Sequence, residues 1–209
     1  TVSQLGFLIG FYGLGTLGLE HDFFQILNHV FYKGSLFMVA GIIIHSIGTK
    51  DIRKIGGLAS VMPLTAITAT IAGLSMAGIP GTMGFVSKEI MVSKVLELVT
   101  VNGGGIYWLF PACLFISAMC LIATSLRFIY HCFYRKIQDS TLSIHKPKLM
   151  FQLPPFMLSL GALFLGLFPE TGGHLLNQLN SGIHHVSPSH LAIFHGINEP
   201  LLFGLSIIT

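Results

Sequence analysis

The chain has 209 residues, of which 52% are hydrophobic and only 9% charged, and its net charge is +3. A water-soluble domain carries about 25% charged side chains, so this composition excludes an ordinary soluble fold and makes a lipid bilayer the expected solvent. The small, scattered positive balance gives no nucleic-acid surface.

A membrane-spanning helix takes about 20 mostly apolar residues. In chain order, apolar runs occupy 1–18, 22–47, 62–79, 83–99, 106–134, 150–168 and 199–209. The predicted fold is an all-α polytopic membrane protein, a single membrane domain over 1–209. It has about five complete and two truncated transmembrane helices, one of them short or broken. The chain starts with neither Met nor a basic leader, and apolar runs meet both of its ends, so a fragment of a longer polytopic protein is expected. Gly6, Gly10, Gly13 and Gly18 in the first run suit close helix packing.

Glu20 and Asp22 sit at the start of the second run, where acids suit the helix macrodipole. From Phe23 to Ile44 this run holds one formally charged side chain, Lys33. The connector 48–61, "GTKDIRKIGGLASV", is polar and its Gly-Gly pair reads as a turn. Pro63 suits the first turn of the next helix. Gly78, Pro80, Gly81 and Gly84 crowd one junction, which predicts a break, since glycine weakens a helix and proline removes a backbone donor. Lys88 and Glu89 follow directly. The segment 106–134 carries all three cysteines, Cys113, Cys120 and Cys132. Cys113 and Cys120 lie roughly 10 Å apart along a helix, beyond disulfide reach. Arg127, His131 and Arg135 share a face near its end and read as side chains snorkelling to headgroups. The stretch 135–149 is basic, with Arg135, Lys136, Lys146 and Lys148. A Gly- and His-rich connector runs over 169–198, with a short surface helix expected at 173–181. His174, His184, His185, His190 and His195 read as a solvated loop rather than a metal site. Short basic loops favour the cytoplasm, and both 48–61 and 135–149 qualify. Three complete spans between them would put them on opposite faces, and they share a face only if one segment, 83–99, enters and returns. The spanning reading is preferred, with 135–149 inside and 48–61 outside.

Two constellations carry the chemistry. A lysine at a helix centre costs about 2.5 to 3.5 kcal/mol on insertion scales, so a buried ionisable group reads first as part of an ion pathway. Gln25, His29 and Lys33 fall at i, i+4 and i+8 on one helical face, a polar string roughly 12 Å long. Such a string passes protons between titratable groups or through waters beside them. The plainer alternative is that Lys33 pairs with a carboxylate on another helix and fixes packing. The second constellation is the break with Lys88 and Glu89. Interrupted helices expose backbone and helix ends that contact ions in transporters. Adjacent residues point about 100° apart, so Lys88 and Glu89 each seek another partner. The plainer alternative is a loop followed by an interfacial helix start. No HExxH, nucleophile elbow or strand-preceded Gly-rich loop occurs, so no enzyme, metal or organic cofactor is expected.

"TVSQLGF", "LNHVFYKGSLFMVAGII", "GTKDIRKIGGLASVMPLT" and "LSMAGIPGTMGFVSKE", in this order, resemble the antiporter-like subunits shared by Mrp-type cation/proton antiporters and respiratory complex I. The connector, "GFVSKE" and "FHGINEPLL" at 194–202 favour the A-subunit family of the Mrp-type Na⁺/H⁺ antiporters. The resemblance covers nearly the whole chain, strongly through 89 and weakly from 136 to 190. It implies a place in the second half of the antiporter module, in a bacterial cytoplasmic membrane, inside a hetero-oligomer exchanging H⁺ for Na⁺ without an organic cofactor. It also implies that His29 and Lys33 belong to a hydrophilic axis at the membrane midplane. Lys88, with Glu89 beside it, would end the outer half-channel. One departure is that related sequences carry a histidine where Gln25 stands. The family's essential Glu–Lys pair lies outside this chain. Two other readings remain: a proton pump of complex I or a membrane hydrogenase, and a non-transporting assembly scaffold.

Overall fold

The computed structural model describes residues 2, 6, 9, 19–136 and 144–172, with side chains in the first long helix from Phe24 onward. The expected surface helix at 173–181, the run 199–209, most of 1–18 and the histidines from His174 on lie outside these residues.

Every described apolar run is helical. α1 spans Leu19–Ile47, the one-turn α2 Leu58–Val61, α3 Pro63–Ala77, α4 Met83–Val101, α5 Leu109–Ile129 and α6 Leu149–Leu167. A 3₁₀ turn, Gly105–Trp108, leads into α5, and a π-turn, Tyr130–Tyr134, ends it. Pro63 occupies the first turn of α3, where its missing N–H is no loss. Among the described residues, three stretches are long and apolar enough to cross a membrane: Phe24–Ile47, Gly105–Tyr134 and Leu149–Leu167.

Helices in lipid gain nothing from burying apolar surface against each other, so small residues and polar cross-links hold them together. In α1 and α6, Ser35 Oγ donates to the Pro155 carbonyl at 3.0 Å, and a Cβ on Gly161 would lie 2.8 Å from the Phe31 ring. Ser125 Oγ donates to the Gly73 carbonyl at 2.5 Å, joining α5 to α3. Thr65 Oγ1 donates to Gln152 Oε1 at 2.9 Å, and Gln152 Nε2 reaches the Pro147 carbonyl at 3.1 Å, joining α3 to α6. All three cysteines are free thiols.

The core forms in layers along α1. At its C-terminal end Val39, Ile42, Ile43 and Ile47 pack with Ile55, Leu58, Met62, Cys132 and Phe133. At its N-terminal end Phe24 packs with Met83 and Val86. Tyr32 lies between, with Ala72 and Met76.

This layering overturns the expectation that 48–61 and 135–149 face opposite sides. A Cβ on Gly56 would lie 2.8 Å from the carbonyl oxygens of both Arg135 and Lys136, and the His145 N–H donates to the Ser46 carbonyl at 3.0 Å. The described parts of both basic segments therefore sit at one end of the bundle. Gly105–Tyr134, 30 residues long, returns to that end in one crossing. α3 and α4 must then leave it in one crossing between them, as consecutive halves of a helix broken at 78–82. The expectation failed because it counted each half as a complete span.

Candidate functional site

The break follows from a shortage of partners at the end of α3. Gly78 is left-handed, with φ 81° and ψ 40°, a conformation glycine adopts without the Cβ penalty. It closes a Schellman cap. The Gly78 N–H reaches the Ser75 carbonyl at 3.1 Å, and the Ile79 N–H reaches Leu74 at 3.1 Å. A cap of this type satisfies the carbonyls two and three positions before the glycine's predecessor and leaves the last ones orphaned. Here the orphans are Met76 and Ala77. Lys88 Nζ, from the second turn of α4, donates to both, at 3.0 Å and 2.7 Å. An ammonium suits the negative end of the helix macrodipole, and charge-assisted bonds are about twice as strong as neutral ones. Gly78 also makes room: a Cβ there would lie 2.7 Å from Lys88 Cδ and 2.9 Å from Nζ. Gly81 has φ 88° and completes the turn. Gly84 packs so closely on the Ser75 carbonyl that a methyl group would overlap it. Three of the four glycines and prolines singled out at this junction thus have a conformational or steric task.

Along α1 the predicted string is present as a face. Lys33 is the central residue of the helix and is half-buried. Its Nζ lies 5.6 Å from the centroid of the Phe37 ring. His29 Nδ1 is 2.9 Å from the Tyr32 hydroxyl, with the two rings edge to face. His29 and Lys33 therefore each have an aromatic partner, at i+3 and i+4. Gln25 Oε1 accepts from the Ser87 hydroxyl on α4. This contact brings the two constellations together, because Ser87 precedes Lys88. Glu89 is half-buried on the next position.

Five participants were missed: Tyr32, Phe37, Ser87 and the carbonyls of Met76 and Ala77. Tyr32 is buried at 3% exposure and stands three residues after His29, a spacing at which helical side chains meet. The carbonyls follow from the glycine at 78, since a left-handed cap fixes which acceptors remain.

On the basic end, Arg135 Nη1 lies 3.2 Å from His131 Nδ1 while Arg127 stays exposed. Arg53 and Asp51 form a pair there at 3.0 Å; its hydrogen bonds hold the Asp51 carboxyl below the usual carboxylate range.

Residues 1–110 match the family model described as NADH:quinone oxidoreductase/Mrp antiporter, transmembrane. The chain is 37% identical to a protein of Rhizobium meliloti (strain 1021) named as the A/B subunit of a probable K(+)/H(+) antiporter. That match covers 98% of this chain and 21% of the relative. It is 31% identical to the A1 subunit of a Na(+)/H(+) antiporter of Staphylococcus aureus (strain JH9), over 99% of this chain and 29% of the relative. Its fold is similar to a chain in the structure of the Mrp complex from Dietzia sp. DQ12-45-1b. The TM-score is 0.78 and the identity 30%, over 99% of this chain and 22% of that one. The chain thus spans between about a fifth and three tenths of the length of these relatives.

Proposed function

Because this chain belongs to the NADH:quinone oxidoreductase/Mrp antiporter transmembrane family, we propose that it forms the outward half of a proton path in a monovalent cation/proton antiporter, working within a hetero-oligomeric membrane complex. The observation that carries this reading is the Gln25–Ser87 contact. It joins the α1 face bearing His29 and Lys33 to the residue beside Lys88.

The path starts at Lys33, at the middle of α1. It passes His29 and its Tyr32 partner, crosses between helices at Gln25 and Ser87, and ends at Lys88 on the broken helix. Lysine and histidine gain and lose protons. The glutamine amide does not titrate, so at Gln25 the proton moves on water held between polar groups. Both basic segments lie at one end, and placing that end in the cytoplasm follows the excess of Lys and Arg in short inner loops. Lys88 then stands beyond the break on the outward side, with Glu89 beside it. The names of the relatives include both K⁺ and Na⁺ antiporters, which supports an alkali cation as the exchanged ion. They also favour antiport over a redox-driven pump or a passive scaffold.

Lys33→Ala in the full-length protein tests the reading. In inverted membrane vesicles, cation/proton exchange is expected to fall at least about a hundredfold, equivalent to roughly 2.8 kcal/mol, while native gels show the complex at its normal level. Normal exchange overturns the reading, and so does loss of the complex, which would make Lys33 a packing residue.

A further inference from the structure

We propose that the end of α3 is a cation site, where the carbonyls of Met76 and Ala77 hold a monovalent, ammonium-sized alkali ion in exchange for the Lys88 ammonium. The proposal rests on the antiport reading only in supposing that the exchanged ion reaches the break.

The argument begins with the acceptors. The Schellman closure leaves the Met76 and Ala77 carbonyls without a backbone donor, and both point at one cationic nitrogen, 3.0 and 2.7 Å away. Half-helix C-termini and unwound carbonyls are suitable ligands for monovalent ions at midplane breaks, because the helix dipole and lone pairs replace lost hydration. Ser75 supplies the second observation. Its side chain is 1% exposed, and its Oγ is a buried hydroxyl with no hydrogen-bond partner among the described residues. A buried hydroxyl without a protein partner is a ready ligand for an ion or a water. It lies in the turn that carries the cap, facing Gly84. The absence of a Cβ at both Gly78 and Gly84 lets oxygen atoms, rather than methyl groups, line the junction.

Two cations cannot share these two oxygens. Like charges about 4 Å apart in a medium of low dielectric repel by several kcal/mol, so the ion enters as the ammonium withdraws and leaves as it returns. That exclusion is itself a coupling between the lysine and the transported cation, located on the backbone and needing no carboxylate.

Thallous ion, monovalent and close to ammonium in size, is the probe. Its binding is measured at equilibrium on the purified full-length complex. Lys88→Met removes the competing ammonium and is expected to tighten binding at this site at least about tenfold. Adding Ser75→Ala should remove most of that gain. Lys88→Gln serves as a second variant if the methionine form fails to assemble. Binding unchanged from wild type in both lysine variants overturns the proposal. A gain that survives Ser75→Ala undiminished also overturns it, because the ion then binds elsewhere. Thallous binding does not require transport, so a complex whose exchange depends on Lys33 but gains no site sinks the cation site alone. A gained site in a complex whose exchange ignores Lys33 sinks the proton-path reading instead.

Discussion

Two lysines lie inside this bundle, and opposite means hold them. Lys33, at the middle of an unbroken helix, has its ammonium 5.6 Å from an aromatic face. Lys88, just past a broken helix, has its ammonium on two backbone carbonyls. A ring face attracts a cation weakly and over a broad range of positions, with about 0.5 to 2 kcal/mol. Carbonyl oxygens attract it strongly but only along their lone-pair directions. Lys33 is therefore held loosely, over one ring face, while Lys88 is registered to the end of α3. In the proposed path, Lys33 would be the loosely held group and Lys88 the one seated on backbone oxygens. Substitutions that alter shape without altering charge should separate the two.

Among such substitutions the largest effect is expected from Lys88→Arg. The guanidinium stays protonated and presents a rigid planar fork, whereas the space beside Gly78 fits a narrow alkyl chain ending in a point charge. Exchange should fall at least about tenfold, or roughly 1.4 kcal/mol, with the complex present at its normal level. Near-normal exchange would make Lys88 an interfacial anchor, for which arginine serves equally well, and would erase the contrast between the lysines.

Gly78→Ala comes next and acts on the carbonyl-held lysine through its neighbour. The left-handed backbone costs a non-glycine residue about 1 to 2 kcal/mol, and the new methyl group would press on Lys88 Cδ at 2.7 Å. Thermal inactivation of the assembled complex should come several degrees earlier, and exchange should fall with it. Unchanged stability would mean that the cap tolerates a side chain and that Lys88 is not seated as described.

Those two predictions also mark what the sequence made legible. The long helices were readable to within about five residues, because the bilayer demands a minimum apolar length and leaves little freedom in placing a span, whereas the one-turn α2 inside the connector was not. The break was readable because Gly78, Pro80 and Gly81 are poor helix residues standing together. The parity of the crossings was not. Runs of 18 and 17 residues at 62–79 and 83–99 each fall slightly short of a span, and the close approach of Gly56 to Arg135 and Lys136, with the His145–Ser46 hydrogen bond, shows that they share one crossing. On the candidate site, i, i+4 spacing correctly placed Gln25, His29 and Lys33 on one face. It could not choose their rotamers. His29 turns to Tyr32 and Lys33 to Phe37, so the string is a shared face rather than a chain of direct bonds. The backbone acceptors were harder to read: Gly78 marks a helix end, but its left-handed φ is what fixes which carbonyls stay orphaned.

A smaller effect sharpens the ring-held side. Tyr32→Phe keeps the ring that packs with Ala72 and Met76 and deletes the hydroxyl at 2.9 Å from His29 Nδ1. Losing one such bond costs about 1 kcal/mol, so thermal stability should drop slightly. Exchange should slow about threefold, within the range one hydrogen bond spans. The pH profile of exchange should move as well, because His29 loses the group that fixes its ring. An unaltered pH profile would remove His29 and Tyr32 from the path and leave Lys33 acting alone.

The smallest effect is expected where the two regions meet. Gln25 accepts from Ser87, and neither side chain titrates near neutral pH. Gln25→His would add a titratable ring on the same face, still within reach of a hydroxyl that can donate or accept. If the junction only needs polar groups to hold water between the lysines, an imidazole serves as well as an amide, and its pKa near neutrality suits proton transfer. Exchange in inverted vesicles should stay within about twofold of wild type, under about 0.5 kcal/mol. A loss of about tenfold or more, with the complex intact, would mean something different: the neutral amide is itself the requirement. A second positive charge between Lys33 and Lys88 would then block the path by repulsion. Gln25 would in that case insulate the two lysines from each other rather than join them.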